Sequence, residues 1–402
     1  MLNQGINFLV NEKRILSCLS VTYGTETEEH HTMLGVMDRQ GRPLHEGALY
    51  DLASITKFFT SLLVLRLREE GRLELSRRIT DYAPQFTELS TVTVEEVLGF
   101  QVALVTPQRV DTQAAAAAGM RLLFAAQAQP VTGRHYSDIP AMVLKYVIEG
   151  AAGEKYMDLL SRMILRPLGM NSTFAPVPEE RRCDCVCYDG EHRIEGARWL
   201  VRQGIAPGTP HDPKAQLMFQ GGEVCGHAGI FSTRGDMTRL CQGVLAGKVI
   251  SRESLALMAK NRTGRPLGNG KWTQFLGYQC YVKHPDQYYS EIPAFMSSQA
   301  VGMGGFTGNH LSLDPVTGTF VLFLGNRVMD RLTVLVPEEG RCLTDYGLAA
   351  DGSGQLRWTD GTLLDSSVNY VHQKDQRLHA PIGQLLHLPP WHPAGNEWPA
   401  YP

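Results

Sequence analysis

The sequence predicts an α+β fold in which an antiparallel sheet flanked by helices carries an inserted all-helical domain. Strand-like patterns stand near the start of the chain, at residues 15–23 and 32–37, and return only in its last third. Helical and loop-like sequence separates them, so one sheet is expected to form from both ends of the chain. The predicted sheet domain comprises residues 1–74 and 226–402, and the predicted helical domain comprises residues 75–225.

The first seventy residues predict a short helix, two strands and a longer helix. Residues 2–11 have a helical pattern, and 15–23 and 32–37 are strand-like runs. Turn residues stand at 38–42, after the second run. From residue 55 to residue 67, apolar side chains recur at the spacing of a mostly buried helix.

The rest of the chain supplies the remaining elements. Residues 92–98 predict a helix with Thr93 as N-cap and a glutamate three residues later, which is capping-box spacing. The alanine-rich stretch 111–129 favours a helix, and residues 204–226, rich in Gly and Pro, favour a long ordered loop. The further expectations are helices at 139–149, 154–164, 236–245 and 366–386, strands at 277–282, 310–313 and 318–324, and an irregular tail at 389–402.

The composition is that of an ordinary globular protein. The 402 residues are 43% hydrophobic and 20% charged, with a net charge of −3. This charge gives no reason to expect nucleic acid or an anionic membrane as partner. The chain has no run of about 18 apolar residues, as a membrane span needs. Its start lacks the pattern of a secretory signal peptide, so a cytoplasmic location is expected.

The first chemical motif is Ser54 followed three residues later by Lys57. On a helix these positions share a face, so the hydroxyl and the amine can meet. A lysine buried beside Phe58 and Phe59 should lose some proton affinity, and a neutral amine beside a serine is a base beside a nucleophile. The N–H of Ser54 could also help to stabilise an oxyanion. A capping serine followed by a lysine that reaches solvent explains the same spacing without chemistry.

Two further motifs make the pattern specific. Tyr136, Ser137 and Asp138 stand just before the helix predicted at 139, and a tyrosine beside a cationic lysine can relay protons. Residues 302–308 are rich in glycine and lead into a strand, so a substrate can approach the sheet edge closely. Three motifs in this order are much more specific than any one of them.

Together the motifs resemble the serine beta-lactamase and penicillin-binding-protein superfamily, in its class C-like branch of esterases and DD-peptidase relatives. That branch carries S-x-x-K, then Y-x-N or Y-S-D, then K-T-G or H-T-G. The resemblance covers residues 5–330 and includes the stretches 166–170, 211–215, 226–233 and 324–328. It implies a beta-lactamase/transpeptidase-like fold and a serine hydrolase without cofactor or metal.

The resemblance also implies roles for individual residues. Ser54 would be the acylated nucleophile, and Lys57 and Tyr136 would share the general base and acid roles. Asp138 stands where the family has Asn or Asp and would orient Lys57 and the substrate. The backbone N–H groups of Ser54 and Phe306 would hold the oxyanion.

The third motif departs from the family pattern. Met303, Gly304 and Gly305 occupy the K-T-G position, so the usual cation and hydroxyl are both missing; the run from Phe306 to Gly308 is an alternative register. Loss of an anchor for a substrate carboxylate could cost roughly 2–4 kcal/mol of transition-state binding. This argues against an efficient beta-lactamase or carboxypeptidase.

The expected function is therefore hydrolysis of a small ester or amide through an acyl-enzyme on Ser54, with a small-molecule acyl substrate as the partner. One alternative is a D-amino-acid peptidase or beta-lactam hydrolase. Another is a catalytically weakened penicillin-recognition fold used as a binding module, which the residues 303–305 favour.

Other polar residues fit structural roles better. His211 and His227 lie in Gly-rich loops, where a hydrogen bond that fixes the loop is favoured over a donor that lines a pocket. Cys183, Cys185 and Cys187 alternate as on a strand, and a soft-metal site there is the weaker interpretation.

Overall fold

The computed structural model describes residues 1–131, 136–268, 270–284, 291–350 and 355–391. The α-helices are α1 Leu2–Asn7, α2 Thr56–Glu69, α3 Ile79–Tyr82, α4 Val94–Leu98, α5 Ala116–Phe124, α6 Ile139–Ala152, α7 Tyr156–Leu160, α8 Pro213–Gln220, α9 Arg234–Leu245, α10 Arg252–Met258, α11 Tyr370–Lys374 and α12 Ala380–Leu385. The strands are β1 Cys18–Thr25, β2 Glu29–Gly35, β3 Tyr50–Asp51, β4 Ala103–Val105, β5 Gln127–Gln129, β6 Glu191–Gly196, β7 Arg198–Arg202, β8 Phe231–Ser232, β9 Tyr281–Val282, β10 Val301–Gly305, β11 Asn309–Asp314, β12 Thr319–Asn326, β13 Arg331–Pro337, β14 Leu348–Ala350, β15 Leu356–Trp358 and β16 Leu363–Ser366. Most of the tail predicted at 389–402 lies outside the described residues.

No helix in the described ranges combines the length and the apolar character that crossing a membrane requires.

The main sheet has six antiparallel strands in the order β2, β1, β12, β11, β10 and β9. Strand β1 pairs along its whole length with β12, from Cys18 opposite Asn326 to Thr25 opposite Thr319. Both ends of the chain therefore contribute to one sheet, and the predicted α+β class is confirmed. The β1–β2 hairpin turns at residues 26–28, earlier than the turn predicted at 38–42, which follows β2.

Helix α2 is buried along almost its whole length. Eleven of its fourteen residues are buried, including Lys57, and it packs against α6. The apolar residues between 55 and 67 explain this burial, as the periodicity predicts. A charged residue on α2 is consequently placed inside the protein and needs a partner there.

Residues 75–225, predicted to be all-helical, contain helices α3 to α8 but also, among the residues that the structure describes, four strands. Strands β4 and β5 pair with each other, whereas the β6–β7 hairpin joins a second sheet in the order β14, β15, β16, β13, β6 and β7. Strand β13 lies parallel to β6, so backbone hydrogen bonds tie the C-terminal segment to the middle of the chain. The boundaries of the two domains, 1–74 with 226–402 against 75–225, remain a prediction.

Several stretches differ from the predicted elements: the strand predicted at 277–282 is formed only at Tyr281–Val282, and the helix predicted at 366–386 begins at Tyr370, after β16. Helix α5 occupies only part of 111–129, because the backbone of Ala115 is extended and the chain then turns into β5. The loop predicted at 204–226 contains α8, whose N-cap Asp212 accepts the N–H of Ala215 at 3.0 Å. The Asp-Pro pair at the start of α8 is a helix-start signal that the sequence does carry.

We expect Phe323→Ala to lower the free energy of unfolding by about 3–5 kcal/mol, because it leaves a cavity in the core beneath the main sheet. Phe323 lies on β12 and has no exposed surface. Val316→Ala is the control, since Val316 is 58% exposed and should change stability by no more than about 0.5 kcal/mol. Urea denaturation measures both variants, and equal effects would contradict this account of the core.

Candidate active site

Ser54 lies in a 3-10 turn, Ala53–Ile55, immediately before α2. The buried carboxylate of Asp51 holds this turn by accepting the N–H of Ala53 at 2.9 Å and the N–H of His211 at 2.6 Å. Ala53 has a φ of 46°, the left-handed region that a non-glycine residue rarely adopts. The turn that carries Ser54 is therefore held by one local and one long-range hydrogen bond to Asp51.

The same turn is fastened to the third motif. The carbonyl oxygen of Asp51 accepts the hydroxyl of Thr307 at 2.8 Å and the side-chain amide of Asn309 at 2.7 Å. A Cβ atom on Gly305 would lie 2.6 Å from the carbonyl oxygen of Leu52, so only glycine allows this approach. Thr307, which belongs to the alternative register of the third motif, thus helps to hold the turn that carries Ser54.

Ser54, Lys57 and Asp138 form a chain of direct contacts. The Nζ atom of Lys57 donates to Ser54 Oγ at 2.9 Å and to Asp138 Oδ1 at 2.8 Å. It also lies 4.9 Å from the centroid of the Tyr136 ring. Lys57 is fully buried, and α2 begins at Thr56 without a side-chain cap. A capping serine with a lysine that reaches solvent is therefore not the arrangement found.

The charge of Lys57 differs from the sequence expectation. Burial lowers its pKa, but the charge of Asp138 and the hydrogen bonds that Lys57 makes with Asp138 and Tyr136 outweigh burial and raise the pKa above the ordinary lysine value. The expectation that Lys57 loses proton affinity is wrong, because the compensating carboxylate stands at the start of another helix, α6. The resting site holds Lys57 as an ammonium group.

Asp138 is shared between two lysines. Its Oδ1 atom contacts Lys57, and its Oδ2 atom accepts from Lys214 on α8 at 3.0 Å. Burial alone raises the pKa of Asp138, but Lys57, His227 and Lys214 together hold it well below the ordinary aspartate value. Asp138 is therefore a carboxylate between two cations.

Aromatic neighbours hold Tyr136, which stands shortly before helix α6. Its ring stacks on Tyr281 with centroids 5.5 Å apart and lies 5.7 Å from the ring of Phe100. Its backbone N–H donates to the side-chain oxygen of Gln274 at 3.3 Å. These contacts keep the half-buried ring next to the Lys57 ammonium.

Both loop histidines are buried and lie beside carboxylates. His227 Nε2 lies 2.9 Å from Asp212 Oδ1, and His211 Nε2 lies 2.9 Å from Glu191 Oε2. The ring of His211 also stacks on Phe306 at a centroid distance of 5.6 Å, so this histidine faces the cavity as well. The contacts of both histidines fit the predicted role of fixing the loops by hydrogen bonds. His211 in addition lines the cavity.

Asp138, Asp212 and His227 bring three ligand atoms within 4.8 Å of one another, a spacing that a metal ion could use. The same carboxylates already bond to protein groups: Asp138 to two ammonium groups and Asp212 to the His227 ring. A dication would be repelled by both lysines at this distance. The donor set therefore suits a charge network better than a metal ion. The three alternating cysteines do not belong to this group.

The site opens into a cavity of about 690 Å³. Ser54, Tyr136 and Asp138 line it, together with Gly304, Gly305 and Phe306. Lys57 lies behind this surface, in contact with Ser54. Met303, by contrast, has no exposed surface and belongs to the hydrophobic core, so it is the one predicted substrate-contacting residue that does not reach the cavity.

The other wall of the cavity consists of residues that sequence reasoning missed. Arg193 and Arg202 come from the β6–β7 hairpin, Arg327 follows β12, and Tyr370 and Lys374 belong to α11. They are scattered along the chain and belong to none of the three motifs. Arg327 lies in the family-like stretch 324–328, and the alternation of acidic and basic residues within 191–202 is the signal that could have drawn attention to the hairpin.

Comparison with known proteins finds relatives that match most of the chain. The family model described as Beta-lactamase matches residues 11–332. An Escherichia coli K12 protein, named provisionally as a D-alanyl-D-alanine carboxypeptidase, is 26% identical over 311 residues, which cover 70% of this chain and 69% of that protein.

Two solved structures resemble the fold. EstCE1, described as a hydrolase with promiscuous acyltransferase activity, aligns with a TM-score of 0.65 at 20% identity, over 81% of this chain and 92% of that chain. The octameric penicillin-binding protein homologue from Pyrococcus abyssi aligns with a TM-score of 0.63 at 16% identity, over 97% of this chain and 77% of that chain. At these identities the likeness is one of fold.

We expect Asp138→Ala to lower the free energy of unfolding at pH 7 by about 3 kcal/mol, because the buried ammonium of Lys57 loses its carboxylate. Glu154→Ala is the control. Its partner Arg162 is 48% exposed, so the loss should be clearly smaller than that of Asp138→Ala. Urea denaturation of both variants gives the comparison.

The effect of Asp138 should also depend on pH in a defined direction. Because the folded-state pKa is depressed, the stabilisation is fully present above about pH 4 and is lost as the pH falls toward the folded-state value. The difference between wild type and Asp138→Ala should therefore shrink between pH 4 and pH 3. A difference that grows in this interval would contradict the assignment.

Proposed function

The chain belongs to the Beta-lactamase family of serine hydrolases, and from that premise we propose that it cleaves a small ester or amide through an acyl-enzyme on Ser54. The observation that carries the proposal is the 2.9 Å contact between Lys57 Nζ and Ser54 Oγ beside an open cavity. This contact places beside the serine hydroxyl a group that can take part in the proton transfer which acyl transfer requires.

Proton transfer follows from the charges at the site. Ser54 Oγ attacks the acyl carbon and gives up its proton as the new bond forms. Because Lys57 rests as an ammonium group, it takes up that proton as it releases one of its own to Tyr136, and the hydroxyl proton of Tyr136 passes to the leaving group. Water then attacks the acyl-enzyme with the same two groups in reversed roles. Asp138 keeps Lys57 in place and stabilises its charged form throughout.

The edge of β10 is the proposed site of the oxyanion. Strand β9 pairs with β10 only at Val301 and Gly302, so the following residues of that edge have no β9 partner. Gly305 approaches the carbonyl of Leu52 closely, which keeps the edge next to the nucleophile turn. The N–H groups of Ser54 and Phe306 are accordingly the proposed donors to the developing charge.

The burial of Met303 favours an ester or amide over a substrate that is anchored by a β10 cation. Neither Met303 nor the glycines around it can bond a carboxylate through a side chain. The E. coli relative's name favours the second candidate, a D-amino-acid peptidase or beta-lactam hydrolase. The missing cation and hydroxyl equally favour a third candidate, a binding module with little turnover.

Labelling with a fluorophosphonate tests the nucleophile. We expect wild type to gain the mass of one phosphonyl group and Ser54→Ala to gain none. Lys57→Ala and Tyr136→Phe should label about 10²–10⁴ times more slowly, because each removes a group that moves the proton. Intact-mass spectrometry over time gives the rates.

Ser61→Ala is the matched control, since Ser61 is a buried serine on the same helix and should leave labelling unchanged. Labelling of Ser54→Ala at the wild-type rate would refute the assignment.

A substrate panel separates the three candidates. We expect p-nitrophenyl butyrate to show a kcat/KM, relative to its uncatalysed rate, at least about tenfold above nitrocefin and a D-Ala-D-Ala peptide, because β10 offers the latter two neither the usual cation nor the usual hydroxyl. The reverse order would favour the peptidase or lactam hydrolase. Tight binding of these compounds without turnover of any would favour the binding module.

A further inference from the structure

We propose that the guanidinium of Arg327 binds a carboxylate of the substrate and so replaces the cation that β10 lacks. The inference rests on the proposed function, because the carboxylate belongs to the ester or amide that Ser54 attacks. It specifies the substrate class as an acyl compound with one anionic group.

Arg327 lies at the third motif, although in sequence it follows another strand of the sheet, β12. Its backbone N–H donates to the carbonyl of Thr307 at 2.9 Å. Its guanidinium carbon lies 5.2 Å from the ring centroid of Phe306 and 5.8 Å from that of Tyr370. These side chains line the cavity into which Ser54 opens. The guanidinium is therefore placed next to Phe306, whose N–H is a proposed oxyanion donor.

The guanidinium has no anionic partner within the described ranges. It donates to the carbonyl of Thr333 at 2.8 Å and to the hydroxyl of Ser367 at 3.3 Å, and both acceptors are neutral. Among the residues that the structure describes, no Asp or Glu oxygen lies within 4.0 Å of its nitrogens. A largely buried cation without an anion is costly, and a substrate carboxylate would remove that cost.

Other cations of the cavity already have partners. Lys374 contacts Glu291 at 2.5 Å, and Lys214 contacts Asp138 at 3.0 Å. These carboxylates neutralise the lysines beside them. Arg327 is consequently the cation in this part of the structure that remains available to an incoming anion.

The C-terminal segment holds the guanidinium in position. Ser367 accepts from Arg327 Nε and donates its own hydroxyl to the carbonyl oxygen of Arg327 at 2.7 Å. Ser367 lies beyond residue 332, where the match to the family model ends. A planar guanidinium that is oriented before binding loses little freedom when a carboxylate arrives. The segment outside the family match thus takes part in the recognition that we assign to Arg327.

Two substrate pairs test the proposal on full-length protein. One pair is p-nitrophenyl butyrate and mono-p-nitrophenyl glutarate, which places the carboxylate on the acyl side. The other is phenyl acetate and 3-acetoxybenzoate, which places it on the leaving group. We expect wild type to prefer the anionic member of at least one pair by about tenfold or more in kcat/KM, mainly through KM.

Arg327→Gln should reduce that preference at least about tenfold. Arg327→Lys should retain part of the preference, because lysine keeps the positive charge but cannot form the two parallel hydrogen bonds of a guanidinium to a carboxylate. Arg109→Gln is the matched control. Arg109 lies at the rim of the same cavity, is 76% exposed and pairs with Asp111 at 2.6 Å, so its removal should change the preference less than about twofold.

No preference in wild type for either pair would overturn the proposal, as would a preference that survives in Arg327→Gln. Should Arg327→Gln fail to fold, inhibition of wild type by glutarate and by glutaramide tests carboxylate binding instead. Glutarate should inhibit about tenfold more strongly, and equal inhibition would overturn the proposal. Fluorophosphonate labelling at Ser54 is read in parallel: normal labelling with a flat preference refutes carboxylate recognition alone, whereas absent labelling refutes the proposed function.

Discussion

A cation that has no access to solvent determines the arrangement of this site. Lys57 lies in the interior because α2 is apolar on nearly every side, and its charge requires a carboxylate in contact. Asp138, 81 residues later, supplies it from the start of α6. The second oxygen of that carboxylate accepts from Lys214, and the neighbouring Asp212 contacts His227, so acidic and basic side chains alternate through the floor of the cavity. The packing of α2 against α6 and the chemistry proposed at Ser54 therefore depend on the same ion pair.

The elements that sequence patterns predict well are those decided by local spacing. The apolar periodicity of α2 and the capping box at Thr93 both appear as expected, because each depends on residues a few positions apart. The juxtaposition of Ser54 and Lys57 follows from the same periodicity. The meeting of these two with Tyr136 needed the family resemblance, since nothing local links positions so far apart.

The features that sequence patterns missed depend on contacts between distant segments. The protonation of Lys57 was misjudged because burial was considered without Asp138. The second sheet went unpredicted because β6 finds its partner, β13, far along the chain. The sequence marks Arg327 only as part of the family-like stretch 324–328. The role proposed for it depends on the side chains that surround it in the cavity, which the sequence does not reveal.

The burial of Met303 limits how a cation could be introduced at the K-T-G position of this chain. The side chain at 303 packs among apolar neighbours with no exposed surface, so a lysine placed there by one substitution would meet a hydrophobic environment. An engineered K-T-G motif would therefore need changes in the surrounding core as well. Substitutions at the cavity rim are the simpler way to alter the substrate range, because a rim side chain such as Arg109 already reaches solvent.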